Sequence, residues 1–250
     1  MPNGEILMHQ RLRLLAAASV TVIAAGALGA CGVISDDHFK DDHSVSDRIT
    51  SIRLDNKDGG VEIRGDSGTT KVSVHREVGY RGGKPDSPSY RVDDGVLVLA
   101  GCGDDCSIDY TVDVPAGLPV TGTTSNGAID LSGVGAVKVG TSNGDVTVDG
   151  ADGAVDLHTS NGRIKAKGLK GGGVKAESSN GPVVIGTAAA QNVWVRTSNA
   201  PVTVTAAAGP YRVTAHTSNG NPHISVPTDP KARYALDLGT STGDITVKAP

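Results

Sequence analysis

A tetrapeptide, Thr-Ser-Asn-Gly or a close variant, occurs seven times from residue 124 onwards. The copies begin at Thr124, Thr141, Thr159, Ser178, Thr197, Thr217 and Thr240, with spacings of 17, 18, 19, 19, 20 and 23 residues. Alanine replaces glycine at Ala200, and threonine replaces asparagine at Thr242. A period of about twenty residues is the signature of stacked repeats, because one such unit cannot bury a hydrophobic face alone.

Apolar residues occupy fixed positions in every repeat, and polar residues stand between them. The position four residues before the tetrapeptide is occupied by Val120, Val137, Val155, Val174, Val193, Val213 and Leu236. Further apolar residues follow two and four residues after the glycine, as in Ile129 and Leu131. This alternation predicts two short strands per repeat, and the β-branched side chains suit them.

Two architectures fit a repeat of strand, corner, strand and turn. An antiparallel meander would use Asn-Gly as a hairpin turn, whereas a solenoid would use it as the corner of a coil. We predict an all-β fold, a parallel β-solenoid with coils of about 18–20 residues, each pairing with the next. Equivalent asparagines would then stack about 4.8 Å apart and form a ladder of amide hydrogen bonds: Asn126, Asn143, Asn161, Asn180, Asn199 and Asn219. The Asn-Gly pair is interpreted as corner chemistry, since asparagine tolerates a left-handed backbone and glycine lacks a Cβ.

Residues 1–30 have the pattern of an export signal, with Arg11 and Arg13 before an Ala-rich apolar run. The run is too short to be a membrane span, and Met8 is an alternative start. It ends in Leu28-Gly29-Ala30-Cys31, which resembles a bacterial lipobox. The resemblance implies cleavage before Cys31 and attachment of a lipid to its thiol; the alternative is an ordinary secreted protein.

Residues 31–47, with two Asp-Asp-His triplets, are interpreted as a flexible tether, and a metal site is the alternative. Residues 48–119 carry less regular strands and are expected to cap the regular solenoid of residues 120–250. Cys102 and Cys106 flank a turn, and in an exported protein they are expected to form a disulfide.

The formal net charge of −4 gives no basic patch for nucleic acid. No enzyme, cofactor or metal site is predicted, because no two carboxylates fall on adjacent coils in the outward columns and His158 and His216 would lie three coils apart. Trp194 is a candidate contact residue, because alternation predicts that its indole faces outward, between Lys175 and Thr214. It is interpreted either as a contact for sugar or protein or as a ring lying on the sheet over Lys175.

The segment Val112-Asp-Val-Pro-Ala-Gly-Leu-Pro-Val120, with the recurring Ser-Asn-Gly-x-Val pattern, resembles the DUF4097 group of "putative adhesins". The resemblance covers roughly residues 48–248. It implies a β-solenoid of the bacterial envelope, often a lipoprotein, and supplies no catalytic residues.

Together these features predict a monomeric, non-enzymatic lipoprotein, held by its lipid on the outer face of the bacterial cell membrane. It would display a rigid surface to cell-wall glycan or an envelope protein. The alternatives are an accessory or sensory lipoprotein of an envelope stress system and, less favoured, a glycan-active β-helix enzyme.

Overall fold

The computed structural model describes residues 37–86 and 88–250, which form strands and connecting turns. The predicted signal peptide and Cys31 lie outside these residues. The strands are β1 (Asp37–Val45), β2 (Ser51–Asp55), β3 (Val61–Asp66), β4 (Val72–Tyr80), β5 (Tyr90–Asp93), β6 (Val96–Ala100), β7 (Cys106–Pro115), β8 (Val120–Thr123), β9 (Ile129–Val134), β10 (Val137–Thr141), β11 (Val146–Ala151), β12 (Val155–Thr159), β13 (Ile164–Leu169), β14 (Val174–Ser178), β15 (Val183–Thr187), β16 (Val193–Arg196), β17 (Val202–Thr205), β18 (Tyr211–Asn219), β19 (Pro222–Ser225), β20 (Tyr234–Thr242) and β21 (Ile245–Lys248).

The strands form two sheets, and each coil contributes one strand to each sheet. Sheet A has the order β1-β4-β7-β3-β9-β11-β13-β15-β17-β21-β19, and sheet B has the order β18-β20-β16-β14-β12-β10-β8-β2-β6-β5. Pairing from coil to coil is parallel throughout, as between β10 and β12 or between β11 and β13. The prediction of an all-β parallel solenoid is therefore confirmed.

The core lies between the two sheets and is built from the apolar columns. Val137 pairs in register with Val155, which pairs with Val174, and all three side chains are buried. Like side chains stacked on neighbouring strands give close packing without aromatic rings. Most of the largest fully buried side chains are accordingly isoleucine and leucine, with Tyr110 and Tyr211 as additions.

The corner glycine is required by close packing against the preceding coil. A Cβ on Gly162 would lie 1.8 Å from the carbonyl oxygen of Gly144, and Gly144 has the same relation to Gly127 at 2.0 Å. Of the described non-glycine residues only Asp94 has a positive φ. The interpretation of the corner asparagines as left-handed residues is therefore wrong.

The asparagines instead form a hydrogen-bonded ladder along the surface. Asn143 donates to Asn126, Asn161 to Asn143, Asn180 to Asn161 and Asn199 to Asn180, over distances of 2.7–2.9 Å. At one end Asn126 donates to Asp58 at 2.7 Å, in the degenerate corner of residues 56–59. Beside the ladder, each buried Thr or Ser hydroxyl donates to a carbonyl of the neighbouring coil, as Thr159 does to Gly144 at 2.9 Å.

The coils do not all stack in chain order, which corrects the expectation that each pairs with the next. The C-terminal coil, β20–β21, lies between β16–β17 and the terminal coil β18–β19. Asn219 consequently pairs with Thr242 rather than stacking on Asn199, so its predicted place in the ladder is wrong. The chain must return past the terminal coil, where Thr228 bridges to Tyr211, and this return explains the long spacing of 23 residues.

The N-terminal region caps the other end of the solenoid. Here too one coil is out of order, because β2–β3 lies between β6–β7 and β8–β9. The cap is completed by β1, β4 and β5, which pair antiparallel with their neighbours. The coil nearest the cap carries the disulfide between Cys102 and Cys106, whose Cα atoms are 5.6 Å apart.

The predicted flexible tether of residues 31–47 is wrong over Asp37–Val45, which form β1. Inward-facing Asp41 pairs with the buried Arg76, whose Nε lies 2.8 Å from Oδ1. The hydrogen bond from Arg76 lowers the pKa of the Asp41 carboxyl. A carboxylate that was expected to lie in solvent thus pairs with a residue of β4. This ion pair contributes to the packing of β1 against β4.

Arg76 also donates to Ser89 Oγ, at 2.9 Å. The Tyr110 hydroxyl lies 2.6 Å from the same oxygen and 2.7 Å from the carbonyl of Ala100. Burial raises the pKa of Tyr110 to about 12. Ser89 thereby joins β4 and β7 at the end of the long loop before β5, so a polar network adds to the packing of the buried valines of β4 in the cap.

Candidate ligand-binding groove

The outer face of sheet B carries two columns of side chains, because alternate residues of each strand point away from the core. In spatial order the first column is Thr121, Lys138, Asp156, Lys175, Trp194, Asp237 and Thr214. The second column is Thr123, Gly140, His158, Glu177, Arg196, Gly239 and His216. The inserted coil β20–β21 therefore places Asp237 and Gly239 where the sequence order predicts Thr214 and His216.

A groove with a volume of about 570 Å³ runs along this face, parallel to the stack of coils. One side is the first column, from Thr121 to Asp237. The floor and the other side come from small residues at the start of successive strands: Pro119, Ala136, Ala154, Gly172, Gly173, Asn192 and Ala235. The absence of bulky side chains at these positions leaves the space open. We call it the axial groove.

Trp194 lies one strand from the end of the axial groove, half-buried, between Lys175 and Asp237. Its indole has two cations over it, with the Arg196 guanidinium carbon 4.7 Å and the Lys175 ammonium 5.5 Å from the ring centroid. Both distances fall within the range of cation–π attraction. Lys175 is a neighbour of Trp194, as predicted. The prediction of Thr214 as the other neighbour is wrong, because the coils do not stack in chain order.

Arg196 is held firmly in place. Its guanidinium donates to the main-chain and side-chain oxygens of Asp237, both at 2.9 Å, and to the carbonyl of Val195. A Cβ on Gly239 would come within 3.0 Å of the Arg196 side chain, so the glycine makes room for it. The carboxylate that pairs with Arg196 is thus Asp237 and not Glu177, its register partner on the other side.

Lys175 is less constrained than Arg196. Its ammonium lies 3.9 Å from an Asp156 oxygen, and its side chain is 52% exposed. A solvated pair at this distance contributes little stability. Lys175 can therefore move off the indole at small cost, which would free that part of the ring for a ligand.

A second cleft, of about 720 Å³, adjoins the axial groove and shares Thr121, Lys138, Asp156 and Lys175 with it. It extends over the second column, where His158 is the register partner of Glu177. Gly140 leaves a gap beside His158, because it has no side chain. The two clefts together form a broad polar and apolar surface on one face of the protein.

The charged groups of this face are open to solvent. Asp156 has 37% of its side chain exposed, and Lys175 more, so neither lies in the desolvated pocket that tunes a general acid or base. Within residues 37–86 and 88–250 no group of three or more His, Cys, Asp or Glu side chains is arranged to hold a metal ion. The same residues include no helix with the length and hydrophobicity that a bilayer crossing requires.

Comparisons with solved structures find proteins of low sequence identity. A "putative adhesin" from Bacteroides fragilis is 15% identical, with a TM-score of 0.45 over 86% of this chain and 98% of that one. A "putative adhesin" from Parabacteroides distasonis is also 15% identical, with a TM-score of 0.44 over 85% and 98%. A "putative cell adhesion protein" from Clostridium sporogenes is 12% identical, with a TM-score of 0.37 over 86% and 100%. A search of curated protein sequences finds no significant match.

The family comparison gives a firmer result. The model described as Toastrack DUF4097 matches residues 109–249, which is 141 of the 250 residues. The match covers the regular coils, most of the strand β7 before them and every side chain of the axial groove named above. The chain belongs to the DUF4097 (Toastrack) family.

Proposed function

We propose that this protein is a non-enzymatic binding protein of the cell envelope, and that its ligand occupies the axial groove. The observation that supports this most directly is the groove itself, beside the only tryptophan of the chain. Tryptophan is enriched among the residues that dominate binding, because its indole offers a large, rigid apolar surface. The solenoid holds that surface in place through coils paired on both sides.

The proposal includes export and attachment through a lipid on Cys31, on the strength of the lipobox-like sequence before it. Five residues, 32–36, separate Cys31 from β1. The stretch of sequence between the proposed anchor and β1 is therefore shorter than the tether predicted from the sequence. Labelling cells with a fatty-acid probe tests this part: the wild-type protein should carry the label and Cys31→Ser should not. Label on both proteins, or on neither, would contradict it.

The binding proposal is tested by sedimentation of the purified protein with insoluble cell-wall glycan, the first ligand to examine. Saturable binding is expected for the wild type, with a loss of about thirtyfold or more in affinity for Trp194→Ala, the range of a binding hot spot. Trp194→Phe should retain part of the binding, because it keeps an aromatic face.

Val184→Ala is the matched control, since Val184 faces outward at the middle of the opposite sheet, A. It should bind as the wild type does. Equal losses in Trp194→Ala and Val184→Ala would contradict a site in the axial groove. Absence of binding by the wild type would contradict glycan as the ligand and direct the search to envelope proteins, by cross-linking in intact cells.

A further inference from the structure

We infer that the ligand of the axial groove is an uncharged, β-1,4-linked glycan chain that lies along the solenoid axis with about one sugar per coil. This inference rests on the proposed function and specifies its ligand. Three properties of the groove carry it: its direction, its charge and its lining.

The direction of the groove is set by the coils. Its wall takes one residue from each of six successive strands of sheet B, from Thr121 on β8 to Asp237 on β20. Neighbouring strands lie about 4.8 Å apart, so the six strands span about 24 Å. An extended β-1,4-linked pyranose chain advances by about one strand spacing per sugar. Such a chain therefore places one sugar beside each coil, with alternate sugars turned over, whereas a chain lying along the strands would leave the groove within one coil.

The charged side chains of the groove cancel. Lys138 and Lys175 alternate along the wall with Asp156 and Asp237. A polyanion would meet two carboxylates and a polycation two ammonium groups, and either contact is unfavourable. An uncharged chain of hydroxyl and amide groups can donate to the carboxylates and accept from the ammonium groups at successive coils.

The floor of the groove suits the flat, apolar faces of sugars. Ala136, Ala154 and Gly173 occupy equivalent positions on consecutive coils and present only small apolar groups. Consecutive sugars of a β-1,4-linked chain are turned over relative to each other, so an N-acetyl methyl group can pack against this row at every second coil. At the end of the row Trp194 offers an aromatic face, from which the exposed Lys175 ammonium can withdraw.

The test is calorimetric titration of the protein with soluble β-1,4-linked N-acetylglucosamine oligomers of two to eight sugars. We expect affinity to increase by roughly tenfold or more from dimer to hexamer, through contacts at added coils. Affinity should then level off, because the groove ends after six coils. Oligogalacturonate of matched length, which is polyanionic, should bind at least tenfold more weakly than the neutral hexamer.

Two variants test the register. Trp194→Ala should weaken the binding of every length, whereas Lys138→Ala should weaken the hexamer and leave the dimer unchanged. Lys138 is exposed and lies three coils from Trp194, beyond the reach of a dimer bound at the indole. Equal effects of Lys138→Ala on dimer and hexamer would contradict the axial arrangement.

The outcomes also separate this inference from the proposed function. If all lengths bind equally and Trp194→Ala abolishes binding, the groove is a binding site but the ligand does not run along the axis. If oligogalacturonate binds more tightly than the neutral hexamer, the groove binds glycan but selects charge. A further outcome is that the wild type co-sediments with insoluble cell-wall glycan while no soluble oligomer binds. In that case an uncharged β-1,4-linked chain is the wrong ligand, and the proposed function stands.

Discussion

Replacing Gly162 by alanine tests the packing of the coils most severely. The added Cβ would lie 1.8 Å from the Gly144 carbonyl oxygen and 2.4 Å from its carbon. Ordinary contact begins at about 3.4 Å, so the two coils must separate by more than 1 Å. The obstacle is main chain, which cannot rotate away as a side chain would. On the other side Gly181 packs against the Gly162 carbonyl oxygen, so a shift in that direction is blocked as well.

The expected cost has two parts. Overpacking a well-packed site costs about 1–3 kcal/mol. The same displacement disturbs the hydrogen bonds of Thr159, whose Oγ1 lies 2.9 Å from the Gly144 oxygen and accepts from the Gly162 amide at 3.1 Å. Each of these contributes about 1 kcal/mol. We expect Gly162→Ala to lower the free energy of unfolding by about 3–5 kcal/mol.

Gly171→Ala is the matched control. A Cβ there would meet no atom within 4 Å, and Gly171 does not have a positive φ. Its effect should stay within about 0.5 kcal/mol. Urea unfolding should be followed by both circular dichroism and tryptophan emission, because repeat proteins can unfold in more than one step. Equal stability of the two variants would refute the close approach of main chain at the corners.

Three further predictions concern other contacts. Thr159→Val should cost about 1–3 kcal/mol by leaving buried groups without a hydrogen-bond partner, and Thr159→Ser, which keeps the hydroxyl, should cost less; equal losses in urea unfolding would contradict this. The lowered pKa of Asp41 beside Arg76 stabilises the fold above the ordinary carboxyl pKa of about 4, and this contribution is lost as pH falls through the lower folded value. Asp41→Asn should therefore flatten the acid limb of the stability–pH curve, and an unchanged limb would contradict the ion pair. Reduction of the Cys102–Cys106 disulfide should lower the unfolding free energy by about 2 kcal/mol, because the closed loop is short; unfolding with and without reductant measures it, and an unchanged midpoint would contradict a stabilising bridge.

The repeated corner made the coil architecture predictable, because its period fixes where strands and turns fall. Stacking of identical positions then implies the asparagine ladder. The order of the coils at the two ends was not predictable in the same way. Every coil presents the same inward and outward pattern, so local sequence does not indicate which coil is its neighbour. The only signal was the longer spacing before Thr240, with Pro227 and Pro230 in the inserted segment.

The candidate site was predicted only in part, because the repeat pattern shows which side chains face outward but not the order of the coils. Alternation placed Trp194 and Lys175 outward, as they are in the structure. The residue on the other side of Trp194 depends on the order of the coils, so Asp237 was not predicted there. The hydrogen bonds from Arg196 to Asp237 were missed for the same reason. The strand β1 was missed because its charges suggest solvent, while the partner Arg76 lies 35 residues further along the chain. Only the folded structure brings such groups together.

The central claim is that the axial groove binds a ligand at Trp194, and the emission of this single tryptophan reports on it directly. The measurement is a titration of the purified protein with the N-acetylglucosamine hexamer, followed by tryptophan fluorescence. We expect a saturable change in emission with the same dissociation constant as calorimetry gives. Binding seen by calorimetry with an unchanged emission would contradict it, because the ligand would then lie elsewhere on the protein.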